Sequence, residues 1–188
     1  MSLDPALVLL IRAIMALLFL WAALHKLDIT RFQAVLAAYR VIPLPLVAAT
    51  SRLVILVEVL LGIGWAMGIM LQAVAVASAV LLGTYAGAMA VNLVRGRDYI
   101  DCGCGFGTDQ QAEQKISWAL VARNTVLLIV AGLATLPVAA RDTGLLDGFA
   151  VVTGTLALTL LYAAYNQLQV NDNAIRSWRK PARGATPS

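Results

Sequence analysis

The sequence predicts an all-α integral membrane bundle of four core spans and a fifth, shorter one, with an amphipathic interfacial helix after the first span. Three observations predict it. The 188 residues are 61% hydrophobic and only 13% charged, where soluble domains carry roughly a quarter charged residues. Apolar runs recur at about the 20 residues that a helix rising 1.5 Å per residue needs to cross a bilayer. Lys and Arg collect in alternate connections between those runs rather than throughout the chain.

The first span is read at residues 5–24, with Pro5 in the first turn where its missing N–H costs nothing. No Lys or Arg precedes this run and Arg12 interrupts it, so it reads as a retained span rather than a cleaved signal. Ile29, Phe32, Leu36 and Tyr39 then recur at helical spacing, with Arg31, Gln33 and Arg40 largely elsewhere on the wheel. That pattern predicts a helix lying along the bilayer, with a simple polar connector as the alternative. Pro43 and Pro45 end it. Residues 53–93 form a nearly unbroken apolar run. As one helix it would be roughly 60 Å long, about twice the hydrocarbon thickness. It must fold back, and residues 68–72 are the expected hairpin between spans at 47–67 and 71–93. A fourth span is read at 117–137, with Ser117 at its N-cap and Trp118 at the interface. A fifth, short and threonine-rich, falls at 148–165. The domain thus runs to about residue 170, and 171–188 reads as a basic mobile tail. Small residues four apart, Gly64 with Gly68 and Ala79 with Gly83 and Gly87, mark close helix packing.

Charge sets further limits. The net charge of +4 has no aromatic-interleaved basic stripe, which excludes a nucleic-acid binder. Lys26, Arg31, Arg40 and Arg52 flank the connection after the first span, Arg95, Arg97 and Lys115 the connection after the third, and Arg176, Arg179, Lys180 and Arg183 lie in the tail. With five spans the positive-inside rule puts the amino terminus outside and the 95–117 connection in the cytoplasm. Asp98, Asp101, Asp109 and Glu113 in that connection weaken the bias.

The most pointed chemistry is in the same connection. The chain's two cysteines stand one residue apart, in Asp101-Cys102-Gly103-Cys104-Gly105-Phe106-Gly107. The intervening glycine permits the backbone contortion that a tight ring needs, and a strained disulfide is easily reduced. Arg95, Arg97 and Lys115 could lower a thiol pKa. Cys102 and Cys104 are therefore the candidate catalytic pair. A metal would need ligands from a second copy, since the chain has one histidine and none near the thiols; an inert turn is the other alternative. Inside the apolar spans lie Arg12, Glu58 and Arg123. Charge at mid-bilayer is costly enough that these should face the interior and pair, with Arg12 or Arg123 expected to meet Glu58. That pair would either lock helix register or handle protons or docking. Asn124 is placed to bond across helices. Lys26 is expected to snorkel to the headgroups, and His25 beside it is a lesser proton-transfer candidate.

Together these residues form a pattern that resembles the methylamine-utilisation MauE family, within the wider group of small DoxX-like membrane proteins. The resemblance rests on Ala23-Leu24-His25-Lys26-Leu27, Phe32 with Tyr39 and Pro43, Leu56-Val57-Glu58 with Gly62, the Asp101-Cys102-Gly103-Cys104 run, and Ser117-Trp118 with Arg123-Asn124. It covers roughly residues 9–135. One departure is Gly105, which stands between the second cysteine and Phe106, where the family tends to continue directly with Phe-Gly. The resemblance implies a bacterial inner-membrane protein needed to mature methylamine dehydrogenase, whose small subunit is disulfide-rich. It also implies a thioredoxin-like partner, MauD. A cysteine pair beside a four-helix bundle is also similar in layout to vitamin K epoxide reductase, an architectural analogy only.

The expected activity is thiol–disulfide exchange by Cys102 and Cys104, with Glu58, Arg123, Asn124, Arg12 and His25 as supporting polar residues. No sequence feature demands a cofactor; a quinone is one conceivable second electron carrier. The competing expectation is a non-catalytic scaffold that docks the thioredoxin-like partner. A transporter has less support, because no inverted repeat is visible.

Overall fold

The computed structural model describes residues 2–98, 100 and 115–179, and of residues 169, 170, 172–174 and 176–179 the backbone alone. Cys102 and Cys104 lie outside the described residues, as does the tail from residue 180. Six α-helices follow in order: α1 (Pro5–His25), α2 (Ile29–Ala38), α3 (Val47–Met67), α4 (Leu71–Val94), α5 (Trp118–Leu133) and α6 (Leu145–Arg179), with a 3-10 turn at Leu44–Leu46 leading into α3. An isolated parallel bridge joins Leu3 to Val138. Four stretches are long and apolar enough to cross a membrane: Pro5–His25, Leu44–Met67, Leu71–Val94 and Leu145–Leu168.

Local chemistry sets the helix ends. Asp4 accepts the Ala6 N–H at 2.8 Å and so caps α1, with Pro5 in the first turn. Asp28 caps α2, accepting the Arg31 N–H at 3.2 Å and the Thr30 hydroxyl at 2.9 Å. These bonds, the Arg31 N–H first, hold the Asp28 carboxyl below its ordinary range. The expected hairpin forms where α3 ends at Gly68, which sits at φ +69° and donates its N–H to the Gly64 carbonyl at 2.9 Å.

Two expected spans differ in extent. The stretch 117–137 is helical only over the 16 residues of α5, about 24 Å and short of a full hydrocarbon core. Pro137 opposes further helix, and its carbonyl accepts the Leu3 N–H at 2.8 Å instead. Ser117 occupies the N-cap position of α5 without a side-chain bond to the helix. The stretch 148–165 lies inside a much longer helix of 35 residues. It carries on to Arg179 because no Pro or Gly follows Gly154 until Pro181. It therefore includes the first nine residues of the stretch expected as a tail.

Successive long helices run antiparallel. α1 packs most extensively on α3 and α4 on α5, while α3 meets α4, α2 lies on α3, and α6 leans on α1. One core joins Ile11, Met15 and Phe19 of α1 to Leu61 and Trp65 of α3, Leu82 of α4 and Ala131 of α5. Inside it the Trp65 indole N–H donates to the Ser78 hydroxyl at 2.9 Å. At Gly62 the α1 and α3 backbones approach closely, and a Cβ there would lie 2.7 Å from Leu20 Cγ. Of the small residues on α4, Ala79 packs on this core. Gly83 faces Leu128, while Gly87 has open space beside it. A second cluster, Tyr39, Met89, Ile100, Ile116 and Leu120, fills the opposite end of the bundle, where α4 leaves and α5 begins.

Candidate functional site

Glu58 stands near the middle of α3 and is 1% exposed. A carboxylate there must find donors, because no water competes for it. Its partner is Lys26, the C-cap residue of α1, whose Nζ donates to Glu58 Oε1 at 2.6 Å. The Tyr85 hydroxyl from α4 donates to the same oxygen at 2.8 Å. The rings of Phe32 on α2 and Tyr85 face the Lys26 ammonium, with centroids 5.6 and 5.4 Å away. Four helices thus converge on one ion pair, and two aromatic faces seal it. Glu58 Oε2 is buried with no hydrogen-bond partner among the described residues.

This corrects the sequence-based pairing. Neither Arg12 nor Arg123 meets Glu58, and Lys26 does not reach for the headgroups. Its side chain is buried because α1 ends at Lys26 and α2 folds back across it, bringing Phe32 over the ammonium. Gln33 of α2 also donates to the Ser51 hydroxyl of α3 at 3.3 Å. Arg12 lies at the other end of the bundle, where its guanidinium donates to the Trp65 carbonyl at 3.2 Å and the Ala66 carbonyl at 3.1 Å. There it satisfies the last carbonyls of α3, which carry the negative end of the helix dipole. Arg123 donates to Asn166 Oδ1 at 3.0 Å and lies 5.7 Å from the Tyr162 ring centroid, so it ties α5 to α6. Asn124, expected to bond across helices, donates to the Leu120 carbonyl one turn back at 2.9 Å. His25 is exposed, with Nδ1 3.0 Å from the Trp21 carbonyl and its ring 4.8 Å from that of Trp21.

The base of the cysteine-bearing connection is well anchored. The Ile116 N–H donates to the Ile100 carbonyl at 2.9 Å, and both side chains are buried. They pack with Tyr39, Met89 and Leu120, and Tyr85 packs against that cluster. Tyr85 is therefore common to the ion pair and to the hydrophobic cluster beneath the connection. Sequence reasoning did not single out Tyr85. The available signal was a lone hydroxyl-bearing ring in an apolar span, since a buried tyrosine usually needs a hydrogen-bond partner.

A multi-pass helical membrane protein with a sealed ion pair under one connection is the class these features define. Comparison with known proteins narrows it. Residues 4–137 match the family model described as methylamine utilisation protein MauE. The chain is 38% identical over 157 residues to the methylamine utilization protein MauE of Paracoccus denitrificans, covering 82% of this chain and 81% of that one. It is 37% identical over 164 residues to the MauE of Paracoccus versutus, covering 86% and 85%. With the MauE of Methylorubrum extorquens the identity is 36% over 170 residues, covering 86% and 87%. The chain belongs to the MauE family. No solved structure matches it.

Proposed function

We propose that this protein is an inner-membrane thiol–disulfide redox component that supports maturation of methylamine dehydrogenase. It would act with a thioredoxin-like partner through Cys102 and Cys104. The observation that supports this reading is the pair itself: the chain's two cysteines, one glycine apart, inside the stretch that matches the family model. Family membership supplies the pathway, since the relatives are named for methylamine utilisation.

A partner thiolate attacks one sulfur of the Cys102–Cys104 disulfide, forming a mixed disulfide and releasing the other cysteine as a thiolate. The partner's second thiol loses its proton and attacks the partner's sulfur in the mixed bond, closing the partner's disulfide and releasing the second cysteine of the pair as a thiolate. The partner loses two electrons and the pair gains them. Reoxidation of the pair passes two electrons to a second carrier, for which a quinone is a suitable chemical class.

Changing Cys102 and Cys104 singly to Ser tests this. Each variant should insert normally and yield no mature methylamine dehydrogenase. Full maturation in both would favour the second reading, a scaffold that holds the thioredoxin-like partner. That reading has its own support, because the Lys26–Glu58–Tyr85 cluster ties three helices together without any thiol. On it, Glu58→Gln or Arg123→Gln should abolish co-purification of the partner while the serine variants retain it. Labelling with a membrane-impermeant thiol reagent in spheroplasts would establish which side the pair faces.

A further inference from the structure

Tyr85 does two things with two parts of one side chain. Its hydroxyl is the second donor to Glu58 Oε1, beside the Lys26 ammonium. Its ring packs on the cluster of Tyr39, Met89, Ile100, Ile116 and Leu120. Ile100 and Ile116 lie on either side of the cysteine-bearing stretch, and they are joined by a backbone hydrogen bond of 2.9 Å. Hydrophobic contacts alone leave a ring free to slide within its cluster. A directional bond to a carboxylate held by a buried lysine does not.

We infer that Tyr85 is a positioning residue: it transmits the fixed geometry of the Lys26–Glu58 pair to the paired isoleucines on which the cysteine connection stands. The inference rests on the redox reading for its purpose, since the two cysteines lie in the stretch between Ile100 and Ile116. It does not rest on that reading for its physics. Loss of the hydroxyl leaves the ring's volume in place and removes the directional constraint, so the base of the connection should open locally while the rest of the bundle keeps its packing.

Limited trypsin digestion of the full-length protein in detergent reads this directly. Arg97 and Lys115 flank the footing, and Lys115 is exposed. Arg141 is exposed at the other end of the bundle and serves as the internal control. Tyr85→Phe should speed cleavage after Arg97 and Lys115 by about three- to tenfold over wild type, with cleavage after Arg141 unchanged. Ile116→Ala should give the same pattern, and the two combined should be less than additive, because both release one contact. Unchanged cleavage in Tyr85→Phe, or equal acceleration at all three sites, would overturn the proposal. So would full additivity. Should Tyr85→Phe not fold, amide exchange in the wild-type protein supplies the test: the Ile116 N–H should exchange as slowly as the core amides of α4, and early exchange there would overturn the proposal. Repeating the digestion in a background with both cysteines changed to Ser separates the two claims. The same pattern there upholds the footing even where the serine variants mature the enzyme normally.

Discussion

At the end of the bundle where α1 turns into α2, Lys26 and Glu58 meet at 2.6 Å with side chains 6% and 1% exposed. At the other end Arg141 bridges Asp4 at 3.0 Å and Asp147 at 2.8 Å, and the Arg141 and Asp4 side chains are about half exposed. The distances are alike and the consequences are not. Each group of the exposed clamp keeps its water when the clamp opens, so the clamp holds its end together weakly and is screened by salt. Neither member of the buried pair can recover hydration without unfolding the helices around it. Burial, more than contact distance, decides which ion pair the fold depends on.

The largest effect should come from breaking the buried pair on one side. Glu58→Ala strands the Lys26 ammonium and is expected to cost about 3–5 kcal/mol in detergent unfolding. Replacing both, Lys26→Met with Glu58→Leu, removes the uncompensated charge and should recover most of that loss. A double variant no more stable than the single one would break the comparison, because it would mean that the charges are not each other's main support.

Next comes the α3 terminus. Gly68 sits at φ +69°, and a Cβ there would run into the Arg12 guanidinium. Gly68→Ala should cost about 1–2 kcal/mol from the left-handed backbone alone, and Arg12→Met a similar amount from lost charged hydrogen bonds. Combined, they should cost less than their sum, since both disturb one contact.

The smallest effect belongs to the exposed clamp. The Arg141 hydrogen bond, and then the Ala6 N–H, hold the Asp4 carboxyl below its ordinary value of 3.8. Its stabilising contribution is therefore present above that ordinary value and is lost as pH falls through the lower folded-state value. Wild type should exceed Asp4→Asn slightly in stability near pH 6, and the gap should close as the pH falls below 3.8 and through the lower folded-state value. A gap that widens in acid would show that Asp4 is not held as the geometry indicates.

The spans and their hairpin were legible because hydropathy and length act locally. Residues 53–93 had to fold back, and only glycine tolerates the backbone at position 68 without strain. The demand that Glu58 find a partner was equally legible. Its identity was not: three cations lay in or beside apolar spans, and the usual habit of a terminal lysine argued for the wrong one. Arg12 is taken up by the carbonyls of α3 and Arg123 by Asn166, which leaves Lys26 as the cation within reach. The reach of α6 was underestimated because its last turns are polar, although nothing there breaks a helix. The cysteine pair was the clearest chemical signal in the chain, whereas the hydrogen bond that joins Ile116 to Ile100 at either side of its stretch depends on residues sixteen apart meeting in space.

By itself the sequence determined that this chain must enter a membrane as antiparallel helices, where they turn, and that charge inside them needs company. Those are properties of short stretches, set by hydropathy, backbone conformation and the cost of bare charge in an apolar medium. Only the tertiary structure decided which charges meet. The fold of α2 over the end of α1 buries Lys26, and that depends on Phe32, Glu58 and Tyr85 arriving together from three other helices, a coincidence in space that no local pattern encodes.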